Sequence, residues 1–128
     1  MTYYPTADEI LILAEQVTGA PALVRDHGLV QAACARPSTT VFGEDAYPDL
    51  SQKSAALMHS LARNRALVDG NKRTATVAAW YFLACNGVAV PSPLPVDDAE
   101  RLVTDVATGV LDDVSDIAKV LRRVGGVG

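Results

Sequence analysis

Between Ala75 and Cys85 the chain carries apolar residues on nearly every side of a helix: Ala75, Val77, Ala78, Trp80, Tyr81, Phe82 and Leu83. A helix that is apolar all round cannot rest on a surface and has to be wrapped by other elements. The run is about half the length of a membrane span and is interrupted by Thr76, so it predicts the central helix of a bundle and not a bilayer segment. The helix is predicted from Asn71 to Cys85, with Asn86-Gly87 as its stop.

The rest of the chain supplies the wrapping. Thr6-Ala-Asp-Glu9 is a capping box, the Thr oxygen serving the N3 amide and the Glu reaching back to the cap. It opens a helix with Ile10, Leu11, Leu13, Ala14 and Val17 on its apolar face, closed by Gly19 and Pro21. A second helix is predicted from about His27 to Ala35, ending before Pro37. Asp49 caps a long helix through Arg63, with Leu50, Ala55, Leu57, Met58, Leu61 and Ala62 as its buried set. Asp97-Asp98-Ala-Glu100 starts another through about Thr108, stopped by Gly109. Asp113 to Val124 forms the last, its Arg122 and Arg123 placed where cations suit the helix dipole. Two stretches are not helical. Thr39, Thr40, Val41 and Phe42 favour extended backbone and Gly43-Glu44-Asp45 reads as a turn, giving a small flap between Pro37 and Pro48. Pro91, Pro93 and Pro95 make a stiff connector. The expected fold is an all-α bundle of about six helices with a small extended flap, one domain over residues 1–128.

Hydrophobic residues make up 49% of the chain and mean hydropathy is +0.16, enough for a core, while aromatics are only 5%. That core is therefore built from Ala, Val and Leu, and alanine lets helices approach closely. A net charge of −4 and a pI near 5.0 speak against a direct nucleic-acid binder, which would usually be basic. Any effect on nucleic acid is expected to run through a partner. Cys34 and Cys85 both fall in apolar helical surroundings with no His at ligand spacing, so neither a zinc site nor a disulfide is expected. Met-Thr-Tyr-Tyr-Pro at the start carries no basic region leading into an apolar one, so no export signal is expected. The expectation is a soluble cytoplasmic protein without a membrane partner.

Immediately before the apolar helix stands Arg65-Ala-Leu-Val-Asp69-Gly70-Asn71-Lys72-Arg73-Thr74-Ala75. The free N–H groups of a helix's first turn point outward, and the dipole adds roughly half a positive charge there. Gly70 allows close backbone approach, while Lys72 and Arg73 add a point charge and a forked donor suited to phosphate. Asp69 is the odd member, because a carboxylate beside a phosphate usually needs a divalent cation between them. The pattern points to a nucleotide-phosphate and Mg²⁺ site. Asp-Gly-Asn is equally an ordinary turn and helix start, and Lys-Arg an ordinary solvated pair. The spacing is not that of the Gly-Lys-Ser/Thr phosphate loop, so the residues alone leave both readings open.

The segment resembles the signature of the Fic/Doc family, His-x-Phe-x-Asp/Glu-Gly/Ala-Asn-Gly/Lys-Arg, over Arg65 to Arg73. Lys72, where the adenylylating branch has Gly, and Thr74-Ala75 resemble the Doc branch. Arg36-Pro37 followed by Phe42-Gly43-Glu44-Asp45-Ala46-Tyr47-Pro48 resembles the upstream flap, and the total length agrees as well. The resemblance implies a helical Fic/Doc fold and an ATP-dependent serine/threonine protein kinase that phosphorylates elongation factor Tu and arrests translation. It implies a toxin silenced by a small Phd-like antitoxin, and the apolar face of Ala55, Leu57 and Met58 beside the flap is expected to stand open as the groove for an amphipathic antitoxin helix. By the same resemblance Gly70, Asn71, Lys72 and Arg73 bind ATP, with Asn71 using its side-chain amide. Asp69 holds Mg²⁺ and orients the acceptor, and Lys72 and Arg73 neutralise charge on the transferred group. Adenylylating members carry a second Arg where this chain has Thr76, which favours γ-phosphoryl over AMP transfer.

The first position of the motif departs from the family pattern. Arg65 stands where the family motif has the His that acts as general base, and guanidinium, with a pKa above about 12, cannot take a proton near neutral pH. His59 lies about 120° around a helix from Arg65 and is no replacement. The catalytic set implied is thus Arg65, Asp69, Lys72 and Arg73, inactivated at Arg65. A substitution introduced to make a toxic protein producible and a natural loss of activity both account for it. The alternatives are an inactive module that binds nucleotide or antitoxin, and a protein adenylyltransferase.

Overall fold

The computed structural model describes residues 1–126 and contains six α-helices: α1 (Ala7–Thr18), α2 (His27–Ala35), α3 (Leu50–Asn64), α4 (Asn71–Cys85), α5 (Val96–Thr108) and α6 (Val114–Val124). A 3₁₀ turn at Arg36–Ser38 and a two-stranded ribbon, β1 (Thr40–Val41) and β2 (Glu44–Asp45), lie between α2 and α3. Helix boundaries follow the caps. Thr6 and Glu9 form the expected capping box, Asp49 and Gln52 form a second, and Asp26 and Asp113 cap α2 and α6. Gly19 and Gly109 end α1 and α5 in left-handed conformation.

The core is a close pairing of α3 with α4. Ala55, Ala56 and Ala62 from α3 and Ala75, Ala78 and Ala79 from α4 are buried, and Ser54 Oγ donates to Ala79 O at 2.7 Å across the seam. Side chains this small let one backbone accept a hydrogen bond from its neighbour's side chain. The centre is shared, contrary to the expectation of α4 alone. α3 packs against α2, α4, α5, α6 and the 3₁₀ turn, whereas α4 meets α1, α3 and α5. Val77 and Tyr81 on α4 are only partly covered, and Cys85 is exposed, so its apolar setting in the sequence was a false sign. Cys34 is half-buried, and desolvation pushes its thiol up to about 11. Both thiols are free.

The flap forms one residue earlier than the sequence suggests. Thr40 pairs with Asp45 and Val41 with Glu44, so the turn is Phe42-Gly43, both at positive φ (52° and 80°), and Glu44-Asp45 is the return strand. Two positive φ angles give the tight turn whose twist matches a hairpin. Two buried or half-buried cations fix its base. Lys53 Nζ donates to Asp45 Oδ2 at 3.2 Å and to Pro37 O at 3.4 Å, and Arg36 Nε donates to Tyr47 Oη at 3.1 Å. His59 is half-buried, held by Arg36 on one ring nitrogen and Asp112 on the other.

The apolar face of Ala55, Leu57 and Met58, expected to stand open beside the flap as a partner's groove, is wholly buried at 0–1% exposure. α6 and the 3₁₀ turn also pack on α3, so these side chains are core. Among the described residues no helix is long and apolar enough to cross a membrane.

Candidate anion-binding groove at the start of α4

The loop from Arg65 to Gly70 reverses the chain between α3 and α4. Arg65 is the C-cap of α3 and sits in the left-handed region at φ 53°, an uncommon and mildly strained place for a residue with a side chain. Surrounding bonds hold it there. Arg25 Nε donates to Arg65 O at 2.8 Å and its Nη2 to Asn64 O at 3.1 Å, taking up carbonyls left over at the helix end. Asn64 Nδ2 donates to Leu29 O, and its Oδ1 accepts from Ala66 N. An isolated bridge joins Val24 to Leu67, and Val68 N donates to Leu23 O.

Asn71 closes the loop from the other side. Its Oδ1 accepts from Leu67 N at 3.0 Å and its Nδ2 donates to Leu67 O at 2.9 Å. The amide is therefore turned back into the loop, which leaves one Nδ2 hydrogen for an outward contact. Gly70 is likewise engaged within the loop. Its N–H donates to Asp69 Oδ1 at 2.8 Å and is not free for a ligand. Its value is steric and conformational: it caps α4 at φ 79°, and a Cβ there would stand 2.6 Å from Thr18 Cγ2. The first turn bond of α4 runs from Thr74 N to Gly70 O, so the N–H groups of Asn71, Lys72 and Arg73 have no partner among the described residues. Among the described residues no side chain caps this helix. Its dipole end is open.

A groove of about 920 Å³ opens at that end, and Arg65, Asp69, Gly70, Asn71, Lys72 and Arg73 all line it. The six predicted residues are thus brought together. Lys72 and Arg65 are exposed, and Arg73 leans on α1 through a 3.4 Å contact of Nη1 with Val17 O. Thr76 also lines the groove but turns its hydroxyl to Lys72 O, so it offers no cation. The far wall is α5, with Val96, Ala99 and Val103 as an apolar strip. Sequence reasoning missed Arg63, a fourth cation at the rim, and Arg25, which braces the loop from about forty positions away. Arg63 lay inside a predicted helix with nothing to show which way it faced. Asp69 Oδ2 makes no hydrogen bond among the described residues, and no cluster of three metal-ligating side chains occurs among them.

Fold and groove together define a helical bundle whose large groove opens on a cationic helix N-terminus. The model of the Fic/DOC family matches residues 4–83, more than half of the chain, and the chain belongs to that family. Toxin Doc from Mycolicibacterium smegmatis is 54% identical over 108 residues, covering 84% of this chain and 83% of its own length. Protein kinase doc of Escherichia phage P1 is 38% identical over 109 residues, covering 84% of this chain and 81% of its own.

Proposed function

We propose that this chain is a Doc-type toxin of the cytoplasm, built as an ATP-dependent serine/threonine protein kinase for elongation factor Tu and kept silent in its host by a Phd-like antitoxin. The observation that carries the reading is the open start of α4, where three unpaired N–H groups, Lys72 and Arg73 converge on one groove. Phosphoryl transfer asks a protein mainly to position phosphates and neutralise charge, which this arrangement is suited to do. The names of the two relatives, one a toxin and one a protein kinase, support the same assignment.

The residues divide the work. The helix start and Lys72 hold phosphate oxygens, and Arg73, steadied against Val17, offers its remaining donors to the group that moves. Asn71 and Gly70 shape the loop so that those donors face outward. Asp69, with one oxygen fixed by Gly70 N–H and the other free, suits Mg²⁺ bound by one carboxylate and by substrate phosphates. The ion would screen charge between phosphate oxygens. Thr76 supplies no second cation, which favours γ-phosphoryl transfer over AMP transfer.

Arg65 occupies the position that the family resemblance gives to the general base and cannot act as one. As written, the chain binds nucleotide without turning it over, which makes it for practical purposes an occupancy module. Arg65→His is expected to switch on transfer of ³²P from γ-labelled ATP to elongation factor Tu, while the parent chain stays at background. Label arriving only from the α-position would establish AMP transfer in its place. No transfer from either position would leave the binding module standing.

A further inference from the structure

Arg63 lies on the last turn of α3 and lines the groove beside Arg65, Lys72 and Arg73. Its guanidinium rests on the turn that ends α5. A Cβ built on Gly109 would stand 2.4 Å from Arg63 Nη1 and 3.5 Å from Cζ, so a side chain there would push the end of the arginine out of this place. Gly109 also adopts φ 83°, which ends the helix. Cations are favoured at a helix C-terminus, where carbonyl oxygens crowd. Yet Arg63 makes no hydrogen bond and no ion pair among the described residues. Its exposed guanidinium lies near the groove within Coulomb reach of Asp112, and its forked donors are left unspent.

We infer that Arg63 is a further phosphate-contacting residue of this groove, and that Gly109 is its positioning residue. Arg63 would approach bound phosphate from the α3 side, opposite the α4 start, and a planar guanidinium can grip two oxygens at once. This rests on the phosphate reading of the same groove.

The test uses calorimetry of the full chain with ATP and Mg²⁺, and with pyrophosphate as a probe that lacks base and ribose. Arg63→Ala is expected to weaken both by roughly tenfold or more, as for loss of a charge-assisted contact. Arg63→Lys should recover part of that loss, since charge returns without the fork. Gly109→Asn tolerates the left-handed backbone but fills the notch, so it should weaken binding in the parent chain. In an Arg63→Ala background it should change nothing further, an interaction that a merely structural effect of residue 109 would not produce. Thermal melts of each variant confirm folding. If Arg73→Ala loses affinity while Arg63→Ala keeps it, the inference is overturned and the phosphate reading stands. If the parent chain binds neither probe, the phosphate reading falls, and this inference with it.

Discussion

Asn71 is a residue whose side chain braces the loop that carries the candidate site. It sits in the middle of the candidate site, yet both ends of its amide are committed to Leu67 across the loop. Leu67 is only 5% exposed, so Asn71→Ala would strand a donor and an acceptor that water reaches poorly. The expected cost is about 1–3 kcal/mol of stability, read as a lower urea midpoint. ATP affinity should fall as well, because the loop that aims the α4 start loses its brace. Retained stability with reduced affinity would mean that the amide meets phosphate directly.

At the scale of elements, the flap is tied to the bundle by a cation from beneath. Lys53 is buried at 2%, and its ammonium is shared by the flap carboxylate Asp45 and the carbonyl of Pro37, with the Tyr4 ring 5.9 Å away. Asp45 is half exposed, so the pair gains less than a fully buried one, but the lysine has no other anion within reach among the described residues. Removing the carboxylate leaves a poorly compensated buried charge. Asp45→Asn is therefore expected to destabilise the chain by roughly 1–3 kcal/mol. The flap should loosen first: hydrogen exchange at Ala46 N, which donates to Thr39 O across the flap base, should accelerate more than exchange within α3. Uniform acceleration across the chain would show instead that the pair stabilises the whole fold and not the flap.

For the molecule as a whole, the end remote from the groove is closed by one carboxylate. Glu9 joins three parts of the chain, accepting from Tyr3 Oη, from Tyr81 Oη on α4 and from Thr6 N in its own cap. These hydrogen bonds, that of Tyr3 foremost, hold its carboxyl down at about 2 against an ordinary 4.5. A depressed folded-state value means stability that is fully present above pH 4.5 and is lost as pH falls through about 2. Melting temperature should accordingly decline across that window. Glu9→Gln preserves the shape of the cap but not the charge, and should flatten that part of the profile. An unchanged acid limb in Glu9→Gln would assign acid sensitivity to other carboxylates.

The local chemistry of caps, glycines and prolines fixed the six helices within a residue or so, because each signal acts over four residues or fewer. Thr6 with Glu9, Asp49 with Gln52, and Gly109 behave in the chain as they would in any peptide. The candidate site was legible for a related reason: its six residues are nearly contiguous, and a helix start brings neighbours to one place without help from the fold. What needed the tertiary structure was direction. Periodicity marks Ala55, Leu57 and Met58 as an apolar face but cannot tell a core from an open groove, since that depends on α6 and the 3₁₀ turn arriving from distant sequence. In the same way Arg25, Arg63 and Lys53 read as ordinary solvated cations until the bundle closes. A long charged side chain declares its role only when something comes within reach of its end, and that is settled by packing, not by spacing.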